Sequence, residues 1–210
     1  MRLYKLNDTV LSIKGNAAKF LEGLSSNTLD QPFNAFLNQH GRIIATFRQQ
    51  KLNDDECLII VPSVVVEDLL KHLDRYAKIS RTQIQVSPLK VYVDIETGKV
   101  QLKVEDVETQ VTEAEFTLFR LKDNLPLLGV DYQVDDFILN IDEETFVSYT
   151  KGCFLGQEPV SKVHNRSKPT RKLVVKFEDE CSEEEKDRMT SKLLDPQSGR
   201  VKGFIFVKNV

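Results

Sequence analysis

Three cysteines stand far apart in the chain, and one of them has neighbours that suggest chemistry. Cys153 lies within Lys151-Gly152-Cys153-Phe154-Leu155-Gly156-Gln157-Glu158, with a glycine on either side and a lysine two residues before it. The run follows a strand-like segment (Phe146, Val147, Tyr149) and leads into Gln157-Glu158-Pro159, which reads as the start of a helix. A cysteine on a glycine-loosened bend, near a helix N-terminus and a cation, is in a setting that favours a reactive thiolate. A small thiol buried in a tight turn is the competing reading, and the residues alone leave both open. Lys151 either tunes the thiol or snorkels at the surface. Gly152 and Gly156 supply backbone freedom. Glu158 complements the helix dipole.

Cys57 begins an apolar strand and reads as core. Cys181 sits among Glu178 to Glu185, where negative charge raises a thiol pKa. Without a C-x-x-C pair there is neither a disulfide framework nor an intrinsic zinc or iron–sulfur site, so any cluster needs ligands from a partner. Lys162, His164, Arg166, Lys168, Arg171 and Lys172 follow within a short basic stretch. It reads as a solvated linker or as a patch for an anionic tail or partner. Direct nucleic-acid binding is not expected, because the net charge is -3 and the basic stretch lacks interleaved aromatics. No leader-like or membrane-spanning apolar run is found, so a cytoplasmic, unanchored protein is expected.

The patterning around these residues is mixed. Val10 to Lys14 alternates as a strand, Asn16 caps a helix from Ala17 to Leu24, and Ser25 to Pro32 is a polar loop. Ala35–Leu37 and Ile43–Phe47 form a hairpin around Asn38–Arg42. Leu58–Val61 is a strand, Pro62-Ser63 opens a helix to about Lys78, and Ile79–Val86 is a strand. Period-two runs at Val91–Ile95, Val100–Val104 and Phe116–Phe119 predict three more strands. Asp131 to Glu144 is acidic and expected to be mostly exposed. Arg171–Phe177 is a strand, Ser182 caps a helix through Leu194, and Gly199–Lys208 closes the chain as a strand. The fold class is α+β.

Three stretches, in order, carry a family resemblance. Gly15-Asn-Ala-Ala-Lys-Phe-Leu-Glu-Gly-Leu-Ser-Ser-Asn27 resembles the N-terminal G-x-D-A-x-x-F-L-Q-G stretch of the folate-binding YgfZ family. Gly41-Arg-Ile-Ile-Ala-Thr-Phe47 resembles its G-R-I-L-x-D-F strand, and Lys151 to Glu158 matches its K-G-C-[FY]-x-G-Q-E octapeptide at every defined position. That family is related to the glycine-cleavage T-protein, an aminomethyltransferase.

The resemblance implies a T-protein-like core of interleaved α+β subdomains over residues 1–165, with a reduced C-terminal β module over 166–210. It implies tetrahydrofolate, or a one-carbon derivative, as cofactor. It also implies a role in assembly or repair of iron–sulfur proteins, including tRNA-modifying enzymes, through Cys153. Asn27, Arg120 and Asp123 are the folate contacts it suggests. Cellular folates carry anionic polyglutamate tails, which the basic patch would attract. Two departures bear on the chemistry. Ala45-Thr46 stands where the T-protein has Asp-Asp, and Lys122 stands where it has a folate-contacting carboxylate. On a strand, Asp123 would face away from that position. A one-carbon transferase and a non-catalytic interaction module are the alternatives.

Overall fold

The computed structural model describes residues 1–209. The chain opens with β1 (Leu3–Lys5), β2 (Asp8–Lys14) and α1 (Ala17–Leu24). The hairpin β3 (Phe33–Leu37) and β4 (Ile43–Lys51) follows, then β5 (Glu56–Pro62), α2 (Val66–Ser80) and β6 (Gln83–Ser87). A second hairpin, β7 (Lys90–Asp94) and β8 (Val100–Lys103), precedes α3 (Glu113–Lys122), the one-turn α4 (Glu143–Phe146) and α5 (Gln157–Arg166). The last elements are β9 (Arg171–Phe177), α6 (Glu183–Arg188), β10 (Thr190–Leu194) and β11 (Val201–Lys208).

Three sheets result, ordered β3-β4-β5-β2-β6, β1-β7-β8 and β10-β11-β9. The chain starts in the second sheet, leaves to build the largest one, and returns with β7 and β8. That excursion interleaves the two units. In the large sheet, β2 and β5 alternate faces as strands must. Leu11, Ile13, Ile59 and Val61 are buried together with Phe20 and Leu21 of α1 and Leu69 and Leu73 of α2. Each such side chain contributes about 1.5–3 kcal/mol by leaving water. Val10 and Ile60 point the other way and pack on Val91 of β7. Asp8 and Pro62, each two residues along from these, share that second face.

Several local expectations change. Phe116–Phe119 is helical, because Thr112 and Glu115 form a capping box that starts α3. The residue order Thr-x-x-Glu carried that signal and outranks a short alternation. Asp123 is therefore the C-cap of a helix and not the neighbour of Lys122 on a strand. Phe146 ends α4, and Val147–Tyr149 joins no sheet among the described residues. Asp131, Tyr132, Ile138, Leu139, Asn140 and Ile141 are buried, so the acidic segment is largely internal. Lys162–Arg166 completes α5 instead of forming a linker. Ile79 and Ser80 remain in α2, which ends with Arg81 in the left-handed conformation. The helix capped by Ser182 stops at Arg188, where Met189 packs across Gly203 of β11 and the chain turns into strand β10.

Arg120 of α3 is the buried tie between these layers. Its guanidinium donates to Asp131 Oδ2 at 2.7 Å, to Ser191 Oγ at 2.8 Å and to the Leu125 carbonyl at 3.4 Å. Asp131 also accepts from Thr190 Oγ1 and the Leu127 amide. Replacing one member of a buried ion pair leaves the other charge stranded. Arg120→Met should therefore lose about 3–5 kcal/mol in urea unfolding, and Asp131→Asn should lose stability in the same way.

Candidate functional site

The three resembling stretches, distant in sequence, meet in space. The Lys151 ammonium donates to the carbonyl of Ser25 and, at 3.0 Å, to that of Asn27. Ser25 is the C-cap of α1, so the positive charge sits at the negative end of that helix. Desolvation pushes the ammonium down to about 8, against the favourable charge of Glu22 on α1. Lys151 thus neither reaches for the thiol nor snorkels. It fastens the octapeptide to the end of α1.

The stretch it grips is a buried polar junction. Ser25, Ser26 and Asn27 are buried although they open what reads as a polar surface loop. Ser26 Oγ donates to the Phe146 carbonyl at 2.6 Å, and the Ser148 amide returns to the Ser26 carbonyl at 3.0 Å. Asn27 Nδ2 donates to the carbonyls of Thr145 at 2.9 Å and Phe33 at 3.1 Å, and its amide N–H donates to Asn34 Oδ1. The Asn27 side chain is therefore occupied in joining two backbone segments.

The other end of the octapeptide is set by Gly156, the N-cap of α5, at φ 84°. A Cβ there would run into the Asn38 carbonyl and lie 3.4 Å from the Cα of Gly41. Gly41, at φ 72°, has no room for a Cβ either, since Phe137 would be 2.9 Å away. The two glycines let the β3–β4 turn and the start of α5 meet closely. Gln157 Oε1 accepts from the Phe154 amide at 3.4 Å, and Phe154 and Val160 are buried. Gly152 has open space around it, so its lack of a side chain is not demanded by packing. Glu158 is exposed in the first turn of α5. Between the two anchors Cys153 is exposed, whereas Cys57 and Cys181 are buried. Burial pushes the Cys57 thiol up to about 11 and also raises that of Cys181.

His164 is tied back to the same region. Its Nδ1 pairs with Glu143 Oε1, which also accepts from Tyr149 Oη at 2.6 Å, and the two rings stack at 3.9 Å. Lys162, Arg166 and Lys168 are exposed and belong to no ion pair among the described residues. Arg171 pairs with Asp136 at 2.9 Å and covers the ring of Phe206. Lys122 and Asp123 are exposed at the end of α3, and Arg120 is held in its internal ion pair. Among the described residues, no group of three His, Cys, Asp or Glu side chains is placed to hold a metal ion. No helix among them is long and apolar enough to cross a membrane.

A cavity of about 130 Å³ lies behind the junction, bounded by Phe33 and Thr145, whose carbonyls Asn27 holds. Its polar lining includes Asp8, Thr46, Arg48, Asn124, Tyr132 and Asp142. Thr46 and Tyr132 share a hydrogen bond of 2.6 Å. Desolvation raises the Asp8 carboxyl to about 6, partly countered by Arg48, and lowers Arg48 itself. Sequence reasoning passed over both. The available signal was a charge at alternate positions from Val10 and Thr46, which puts each on the side of its strand that the cavity occupies.

No protein-family profile and no curated protein matches the chain. Among solved structures it resembles the glycine cleavage system aminomethyltransferase T from Bartonella henselae, with a TM-score of 0.73 and 13% identity over 98% of this chain and 78% of that one. At that identity the likeness is one of fold. The chain has an α+β, T-protein-like fold.

Two stability tests follow from this geometry. Gly156→Ala combines a positive φ with a backbone collision and should lose about 2–4 kcal/mol in urea unfolding. Asp8→Asn should do the opposite. A carboxyl whose folded pKa lies above its unfolded value binds its proton first in the native state. Its penalty therefore grows as pH rises from about 4 to 6 and is complete above that window. Thermal melts should show the variant more stable at pH about 8, by roughly 1–3 kcal/mol, with the gap closing near pH 4.

Proposed function

We propose that the chain is a member of the folate-binding YgfZ family, and that it is a tetrahydrofolate-binding accessory protein for assembly or repair of iron–sulfur enzymes, acting through Cys153. The observation that carries this reading is the mounting of that cysteine. It is exposed between Lys151, locked onto α1, and Gly156, locked onto the β3–β4 turn. Such a thiol is presented to a partner rather than enclosed around a small substrate. A protein-bound cluster, including that of a tRNA-modifying enzyme, would keep its other ligands on the partner. In this reading residues 1–165 form the folate-binding-like core and 166–210 the short C-terminal β module, and the protein works in the cytoplasm.

The cavity suits one end of a folate. Its volume of about 130 Å³ is close to the ~150 Å³ known to hold a single benzene ring, so the aminopyrimidinone ring of the pterin would enter and the rest of the folate would run outward. Asp8 supplies hydrogen-bond acceptors and Arg48 donors. Bound tetrahydrofolate supplies a reduced nitrogen able to carry a one-carbon unit. The exposed cations Lys162, Arg166 and Lys168 would attract an anionic polyglutamate tail. Tetrahydrofolate-dependent one-carbon transfer is the second reading, favoured by the fold shared with aminomethyltransferase T. Against it, the aligned position of the T-protein carboxylates is Ala45-Thr46, and the Thr46 hydroxyl is bonded to Tyr132. A threonine cannot serve as a carboxylate base.

Cys153→Ser should abolish rescue of iron–sulfur enzyme activity in cells lacking the protein, while melting as the wild type does. Full rescue by that variant would falsify the mechanism. Thiol alkylation of the native protein should modify one cysteine quickly and leave Cys57 and Cys181 untouched until the chain unfolds. Formation of methylene-tetrahydrofolate from an S-aminomethyl donor and tetrahydrofolate, with release of ammonia and the free thiol, would instead establish the transferase.

A further inference from the structure

We propose that Asp8 and Arg48 are the recognition pair of the cavity and select a ring with an aminopyrimidinone edge, Asp8 accepting from its amino and ring N–H groups and Arg48 donating to its carbonyl. The inference rests on the folate reading of the same cavity and supplies the carboxylate that Ala45-Thr46 and Lys122 lack.

Asp8 and Arg48 are both half-buried and both line the cavity. Neither side chain makes a hydrogen bond or an ion pair among the described residues, whereas Arg120 and Asp131, the other charged pair inside the fold, meet at 2.7 Å. Partly buried charges without partners are costly, and native proteins keep them for a reason. Their placement follows from the sheet register. Asp8 of β2 stands opposite Pro62 of β5, and Arg48 of β4 stands opposite Ile60. Ile60 and Pro62 are two apart on β5, so both charges project from one face, separated by the apolar width of the β5 strand. Arg48 is steadied by the face of Phe33, with its guanidinium carbon 4.5 Å from the ring centre. Asp8 and Arg48 form no direct salt bridge, and Ile60 and Pro62 line the cavity together with them.

A flat heterocycle with adjacent N–H donors at one end and a carbonyl acceptor at the other completes this arrangement. The donor end would make two parallel bonds to one carboxylate, and the acceptor end would meet the guanidinium. Pterins and guanine share that edge. Asp8→Asn is nearly isosteric but replaces one acceptor by a donor, so it opposes the ligand directly. Arg48→Gln removes the cation and keeps a donor amide.

Calorimetric titration of the full chain with tetrahydrofolate under anaerobic conditions, and separately with guanosine, tests the pairing. Wild type should bind tetrahydrofolate, Asp8→Asn should weaken it about 10–100-fold, and Arg48→Gln should weaken it too. Both variants should give cooperative melts, with Asp8→Asn no less stable than wild type. Should Asp8→Asn fail to fold, Arg48→Gln carries the test alone. Binding by wild type with both variants within roughly threefold of it would overturn the recognition pair and leave the folate reading standing. Tighter binding of guanosine, lost in both variants, would support the pair and overturn the folate reading. Binding of neither ligand by wild type would overturn both.

Discussion

One half-buried cation organises the junction that carries Cys153. The Lys151 ammonium has exchanged water for two backbone carbonyls at the end of α1, and its lowered pKa registers the cost of leaving solvent. That cost is met because the same carbonyls belong to a junction where Ser26, Asn27 and Asn34 satisfy the backbone of two other segments. A network of this kind holds one geometry or none, since each half-satisfied alternative leaves a polar group stranded in a dry place. Cys153 inherits that rigidity. The thiol is exposed, but the loop that carries it is not free to search.

The molecule treats its charges in two ways. Arg120 and Asp131 meet at 2.7 Å, almost wholly out of water, and the hydroxyls of Thr190 and Ser191 bring the C-terminal sheet to them. This pair holds layers together. Asp8 and Arg48 are kept apart by the strand between them, with a cavity in front. The first arrangement lowers free energy within the fold, while the second leaves interaction potential unspent. The contrast separates an arginine that reads as functional in the sequence from one that does not.

The sequence carried the large pattern well. Amphipathic α1 and α2, the β3–β4 hairpin and the strand at β9 follow from apolar spacing, which tertiary contacts reinforce. The errors fall where two local signals compete. Phe116–Leu118 alternates like a strand, but the Thr112–Glu115 capping box prevails. Asp131–Ile141 looks acidic and external, yet Tyr132, Ile138, Leu139 and Ile141 belong to the main core. In the candidate site, the octapeptide pointed to the bend at Gly156 and the start of α5, because a left-handed glycine and a helix start are local properties. It could not reveal what Lys151 touches, since its partners are more than a hundred residues away. Asp8 was invisible for the same reason, its meaning lying in a cavity assembled from six separate segments.

That separation has a consequence for how the protein is made. The bonds that tie the Ser25–Asn27 junction to Thr145, Phe146 and Lys151 join residues 118 to 126 positions apart. At ordinary elongation speeds, α1 and the β3–β4 hairpin exist for on the order of ten seconds before Lys151 is synthesised. During that interval the large sheet can assemble locally, but the Ser25–Asn27 carbonyls remain wet and the loop that carries Cys153 does not yet exist. Closure of the thiol mount is thus a late, non-local event in biosynthesis. The cysteine acquires its fixed presentation only after the strands of the large sheet have been made, so a chain interrupted short of Lys151 carries that sheet and lacks the thiol mount.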